Sequence, residues 1–151
     1  MRISLMVYGE PMTKGSKTAI VRAGRARLIE GGSGARRGLM RKWAQAVQNE
    51  AVYHKMAQAN WEPYDGPIGL QVRFWLPRPK TQSKAQRLKV YAPNRVDLDK
   101  LVRAVSDPLQ GILFTNDSRI VILSAMKYWL PVDDELGLRA QITIYSVADP
   151  P

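Results

Sequence analysis

Asp97 and Asp99 stand one residue apart at what reads as a helix start, and Asp117 stands just ahead of an apolar run. Carboxylates gathered at one point repel one another, and a hard cation with oxygen ligands, Mg²⁺ or Mn²⁺, relieves that repulsion. Such a cation polarises a phosphoryl oxygen and acidifies an attacking water, the chemistry of phosphodiester hydrolysis. Arg103, one turn beyond Asp99, is positioned to stabilise negative charge on the phosphate. Each acid also has a plainer explanation. Asp97 suits an N-cap, and carboxylates in a first helical turn stabilise the helix dipole by about 0.3–1 kcal/mol.

What separates the two explanations is whether Asp117 reaches the other two. A helix of about 13 residues from Asp97 is roughly 20 Å long. The segment from Gly111 to Asp117, run extended at about 3.3 Å per residue, covers a similar distance. An extended return antiparallel to the helix would therefore bring all three acids to one end of it.

The body around them is basic. The 151-residue chain carries a formal net charge of +10. Residues 1–42 hold ten Lys/Arg against two acids, and residues 73–103 hold nine against two. Blocks of this density suggest a phosphate-backbone footprint, with Lys14, Lys17, Arg22, Arg25, Arg27, Lys80, Lys84 and Lys127 as candidate contacts. The chain has no cysteine and one histidine, His54, which argues against disulfides, thiolate sites and a zinc centre. No stretch approaches the roughly 20 apolar residues of a membrane span, so a cytoplasmic protein is the expectation.

The elements that must position these groups follow from periodicity. Residues 2–8 and 68–76 alternate as strands, and residues 18–30 read as a hairpin with Arg22, Arg25 and Arg27 around its tip. A helix is predicted over 35–58, with Met40, Trp43, Val47 and Ala51 on one stripe. Its first two turns are crowded by Arg36, Arg37, Arg41 and Lys42, against the helix dipole, and a bound phosphate would favour them there. Residues 77–95 read as a long mobile basic loop, or a loop holding a short helix. The second main helix covers 97–110, with Pro108 loosening its last turn and Gly111 at its exit. Residues 119–130 are apolar on both faces, as in a central strand, and 136–144 is expected to pair with them across the acidic turn at 133–135. The order predicts one α+β domain over residues 1–151, a mixed sheet with two main helices packed on it.

A wider pattern runs through the same residues. Arg95, Asp97, Asp99, Leu101, Arg103, Asp107, Leu109 and Gly111, then Asn116-Asp117-Ser118 and Lys127-Tyr128, resemble the RusA family of Holliday junction resolvases. Gly9-x-Pro11-x-x-Lys14-Gly15 is similar to that family's opening strand and basic loop. The resemblance implies a homodimeric, Mg²⁺-dependent endonuclease, phage or prophage encoded, that uses no nucleotide cofactor. It would cut branched DNA at four-way junctions by paired nicks leaving 5′-phosphate and 3′-hydroxyl ends. Asp97, Asp99 and Asp117 would be its metal-binding acids. Three positions depart from the family pattern: Lys100 stands where Asn is usual, Arg103 where Lys is usual, and Asn116 where a further acid is usual.

Two other readings compete. In a non-catalytic, structure-selective DNA-binding protein the acids would serve as caps and ion-pair partners. A structural protein of a phage particle would use the basic charge alone to contact DNA.

Overall fold

The computed structural model describes residues 1–14, 17–22, 25–30, 34–93 and 95–148, without the side chains of 17–22 and 26–30. Strand β1 (Arg2–Tyr8) is followed by a hairpin of β2 (Lys17–Arg22) and β3 (Arg25–Glu30), then by helix α1 (Gly34–Met56). Strand β4 (Ile68–Leu76), a one-turn helix α2 (Lys84–Arg87), helix α3 (Leu98–Leu109), β5 (Ile120–Trp129) and β6 (Arg139–Ser146) complete the chain.

Four strands form a mixed sheet in the order β1-β6-β4-β5. Strand β6 lies antiparallel between β1 and β4, while β4 and β5 are parallel and joined by a crossover through α3. The register stacks Val7, Ala140 and Phe74 in one row and Leu5, Ile142 and Val72 in the next. These rows, all buried, form the helix-covered face, against which Trp43, Val47 and Ala51 of α1 and Leu101, Val105 and Leu109 of α3 close the core. The α+β domain expected from the sequence is what the chain forms.

Three expectations about the sheet are corrected. The hairpin β2–β3 is a separate two-stranded sheet rather than part of the mixed one. Strand β5 is an edge strand, not a central one, with Val121, Ile122 and Leu123 all exposed. Strand β6 does not pair with β5: it starts at Arg139 and inserts between β1 and β4. The acidic turn that was to join them is instead folded onto β6, where Asp134 takes two hydrogen bonds from the buried Arg139 at 2.9 and 2.7 Å. Arg139 also lies 4.4 Å over the ring of Trp75, so its cation is held on both sides.

The loop after β4 contains a short helix, and its cause is local. Ser83 and Gln86 form a reciprocal capping box around α2. Arg78 then ties the loop together, donating to the carbonyls of Leu130 at 2.7 Å and Lys89 at 3.1 Å. Pro108 is accommodated in the last turn of α3, which continues to Leu109 before Gly111 turns the chain with φ +75°.

Candidate active site

Asp97 occupies the N-cap position of α3, yet its side chain makes no capping hydrogen bond. Its carboxylate instead accepts from Lys100 Nζ at 2.6 Å. That hydrogen bond and the lysine's charge hold the Asp97 carboxyl below its ordinary pKa and raise that of Lys100. Asp99 is exposed in the first turn, and Arg103 is exposed one turn on; among the described residues neither side chain has a hydrogen-bond partner. A side-chain cap therefore does not account for Asp97.

Several contacts fix this helix start. Lys127 of β5 donates to the carbonyl of Val96, immediately before Asp97, at 2.6 Å and to that of Pro93 at 3.3 Å. Arg95 pairs with Glu10 at 3.3 Å, and the Lys14 amide donates to the Lys100 carbonyl at 3.1 Å. Lys14 also pairs through its ammonium with Asp107, and Arg36 donates to the buried Thr13 at 2.9 Å. The two halves of the sequence pattern, residues 9–14 and 95–107, thus fold against each other. Between them and α1 lies a cavity of about 620 Å³ lined by Met12, Lys14, Arg37, Met40, Arg41 and Asp107. It continues the α3 face that carries Asp99 and Arg103.

Asp117 is elsewhere. Residues 111–113 form a turn rather than an extended return, with the amides of Ile112 and Leu113 both bonded to the Leu109 carbonyl. Phe114 and Thr115 then align with Tyr64, and Asp117 opens a short 3₁₀ turn, Asp117–Arg119, ahead of β5. That turn is capped by Asn116, whose side chain accepts from the Ser118 amide at 2.9 Å. It is anchored by Asp65, which accepts from Thr115 and pairs with Arg119 at 2.9 Å. Those partners, Thr115 first, hold the Asp65 carboxyl below its ordinary pKa.

Asp117 therefore lies at the N-terminal end of β5, while Lys127 ties Asp97 to the C-terminal part of the same strand. Ile120 and Lys127 are seven residues apart on this strand, about 23 Å at strand rise. The predicted convergence of three acids is not made within one chain. Among the described residues no three His, Asp or Glu side chains group closely enough to hold a metal ion. Asp97 and Asp99 alone still suit a hard cation, since Mg²⁺ is commonly held by one or two carboxylates with waters and phosphate oxygens.

Of the candidate phosphate contacts, Arg25, Lys80 and Lys84 are exposed. Lys14 and Lys127 are engaged by Asp107 and by backbone carbonyls, while the side chains of Lys17, Arg22 and Arg27 lie outside the described residues. His54 packs edge-on to Trp61 and hydrogen-bonds Gln58 at 2.8 Å, a packing role. Asp65 and Arg78 were not singled out by the sequence, because neither belongs to a spaced motif and their partners are distant in the chain.

A basic α+β domain with two carboxylates exposed at a helix start has the charge distribution of a nucleic-acid-binding protein. The chain belongs to the RusA family of Holliday junction resolvases: the family model for Endodeoxyribonuclease RusA matches residues 10–144. Its activity class is accordingly that of an endodeoxyribonuclease. The chain is also similar to the Uncharacterized protein YqaN of Bacillus subtilis (strain 168), 25% identical over 134 residues that span 84% of this chain and 87% of that protein. No described helix is long and apolar enough to cross a membrane.

Proposed function

We propose that this chain is a homodimeric, divalent-metal-dependent endonuclease that resolves four-way DNA junctions in the cytoplasm by paired nicks, leaving 5′-phosphate and 3′-hydroxyl ends. The observation that carries the reading is the pair Asp97 and Asp99, exposed at a helix start on a chain of net charge +10, with Asp97 making no side-chain cap. Asp97 and Asp99 would hold Mg²⁺ or Mn²⁺, while Asp117 lies at the opposite end of β5. Bound there, the cation supplies Lewis-acid polarisation of a phosphoryl oxygen and a more acidic water.

The chain's own residues do the rest. Arg103 projects from the same face as Asp99 and stabilises charge on the phosphate undergoing attack. Lys100 donates to Asp97 and offsets its charge. Arg25, Lys80 and Lys84, with Lys17, Arg22 and Arg27, hold backbone phosphates, so recognition is of junction shape more than of sequence. Lys127 positions the segment that carries Asp97.

The test is Asp99→Asn. The variant should bind a four-way junction as the parent does and lose cleavage by about 10²-fold or more, the scale of losing a group that acts in the transition state. Cleavage at the parental rate would remove Asp99 from the site and favour a DNA-binding protein without catalysis.

A further inference from the structure

Helices α1 and α3 cover one face of the sheet, and the opposite face carries a different set of residues. Alternation sends Leu5, Ile142 and Val72 into the core, so their neighbours Ser4, Thr143 and Gln71 form a row on the other side. The rows flanking it hold Arg2, Tyr145 and Gly69 on one side and Met6, Gln141 and Arg73 on the other. A cleft of about 160 Å³ opens there, lined by Arg2, Ser4, Gln71, Arg73, Gln141 and Thr143. Each of these six side chains can donate a hydrogen bond, and none is acidic. Among the described residues no carboxylate pairs with either arginine. The Nε of Arg73 is buried and, among the same residues, has no acceptor.

Beside this cleft an aromatic ring lies down on the sheet. A Cβ at Gly69 would overlap the far end of the Tyr145 ring, so the ring leans over the β4 backbone rather than standing up from β6. Tyr145 is half-buried and is flanked on β1 by Arg2. Farther along the same face, Tyr128 lies between Trp75 and Tyr91, with ring centroids 5.7 and 5.5 Å away. The Trp75 row is six residues from Gly69, roughly 20 Å at strand rise.

A cleft of donors without acids suits an anion, and a ring laid flat beside it suits a planar group. A nucleotide has both. A duplex offers phosphates but keeps its base faces stacked, whereas a single strand can lay a base on an aromatic ring. The chain belongs to an endodeoxyribonuclease family, so DNA is the strand it meets. We propose that this face is a second nucleic-acid site, one that takes single-stranded DNA. A base stacks on Tyr145, an adjoining phosphate lies in the cleft between Arg2 and Arg73, and the strand runs on towards Tyr128. The site lies across the sheet from α3, so a strand held there leaves Asp97 and Asp99 open. The inference therefore does not rest on the role of those acids.

A labelled single-stranded oligodeoxynucleotide of about 12 nucleotides is titrated with the whole protein over a salt series, in EDTA so that nothing is cut. Tyr145→Leu should weaken binding about tenfold with the salt slope unchanged, as the loss of one stacked base does. Arg2→Gln together with Arg73→Gln should weaken it and flatten the slope by about 0.7, the share of one phosphate on a single strand. Arg2→Gln alone, at an exposed position where folding is not at stake, should weaken it several-fold. All of these variants should bind a four-way junction as the parent does. Parental affinity for the single strand in Tyr145→Leu and Arg2→Gln would overturn the site. A duplex, a junction or an RNA strand weakened as much by Tyr145→Leu would overturn the choice of ligand. Variants whose sedimentation changes without DNA would make the face a contact between copies instead. A strand carrying iododeoxyuridine, irradiated on the parent, should cross-link to Tyr145, and cross-links confined to α1 and α3 would overturn the proposal.

Discussion

Replacing Lys127 by Met should slow cleavage without weakening junction binding. The ammonium donates to the carbonyl of Val96, which immediately precedes Asp97, and to that of Pro93, and the 2.6 Å bond to Val96 is partly buried. A hydrogen bond from a charged donor contributes about 1.5–3 kcal/mol. The segment keeps a second attachment through the buried Ala92 and its bond to the Lys127 carbonyl. The net loss of order at Asp97 is therefore about 1.5 kcal/mol, near tenfold in population. Single-turnover cleavage of a labelled four-way junction should fall about tenfold, because the acid leaves its productive position more of the time. Binding measured over a salt series should keep its slope. A phosphate-contacting lysine would instead reduce that slope by about one. Parental cleavage, or a reduced salt slope, would refute the positioning role.

Lys100→Asn frees Asp97 from its internal cation, so half-maximal cleavage should need several-fold less Mg²⁺ by titration; an unchanged requirement would show that Lys100 does not compete for the site. Asp134 is held below its ordinary pKa by Arg139, so its contribution to stability is full above the unfolded carboxylate value of about 4 and is lost as pH falls through the lower folded value. Melting temperatures followed down through that window should fall less steeply for Asp134→Asn than for the parent. Arg78→Ala removes the donor that joins residue 130 to residues 86 and 89, and limited proteolysis should then cut the 79–89 loop faster while the melting temperature changes little.

The strands at 2–8 and 68–76 and both main helices were legible because each has one buried face, and a single face imposes a clean period on the residues. Strand β5 misled for the complementary reason. Apolar residues on both faces suggested a central strand, yet Val121, Ile122 and Leu123 lie exposed at the edge of the sheet. Its partner in the sheet was equally illegible, since the choice between pairing β6 with β5 or inserting it beside β4 depends on long-range packing. Asp97, Asp99 and Arg103 were found by spacing and sit together on α3 as spacing requires. Asp117 was found by motif, but its location turned on whether residues 111–113 extend or turn. The bonds from Ile112 and Leu113 back to Leu109 decided that in favour of a turn. Lys14 and Lys127 looked like phosphate ligands because a cation's internal partners, Asp107 and the carbonyls of 93 and 96, carry no signal in sequence.

The central claim is that acids on a basic resolvase fold cut branched DNA with a divalent cation. It is tested most directly by incubating an end-labelled four-way junction with the protein in Mg²⁺ or in EDTA. The account predicts symmetric nicks on two opposed strands in Mg²⁺, with ends that a ligase can rejoin, and none in EDTA. Cleavage that persists in EDTA, or an intact junction in both Mg²⁺ and Mn²⁺, would contradict it.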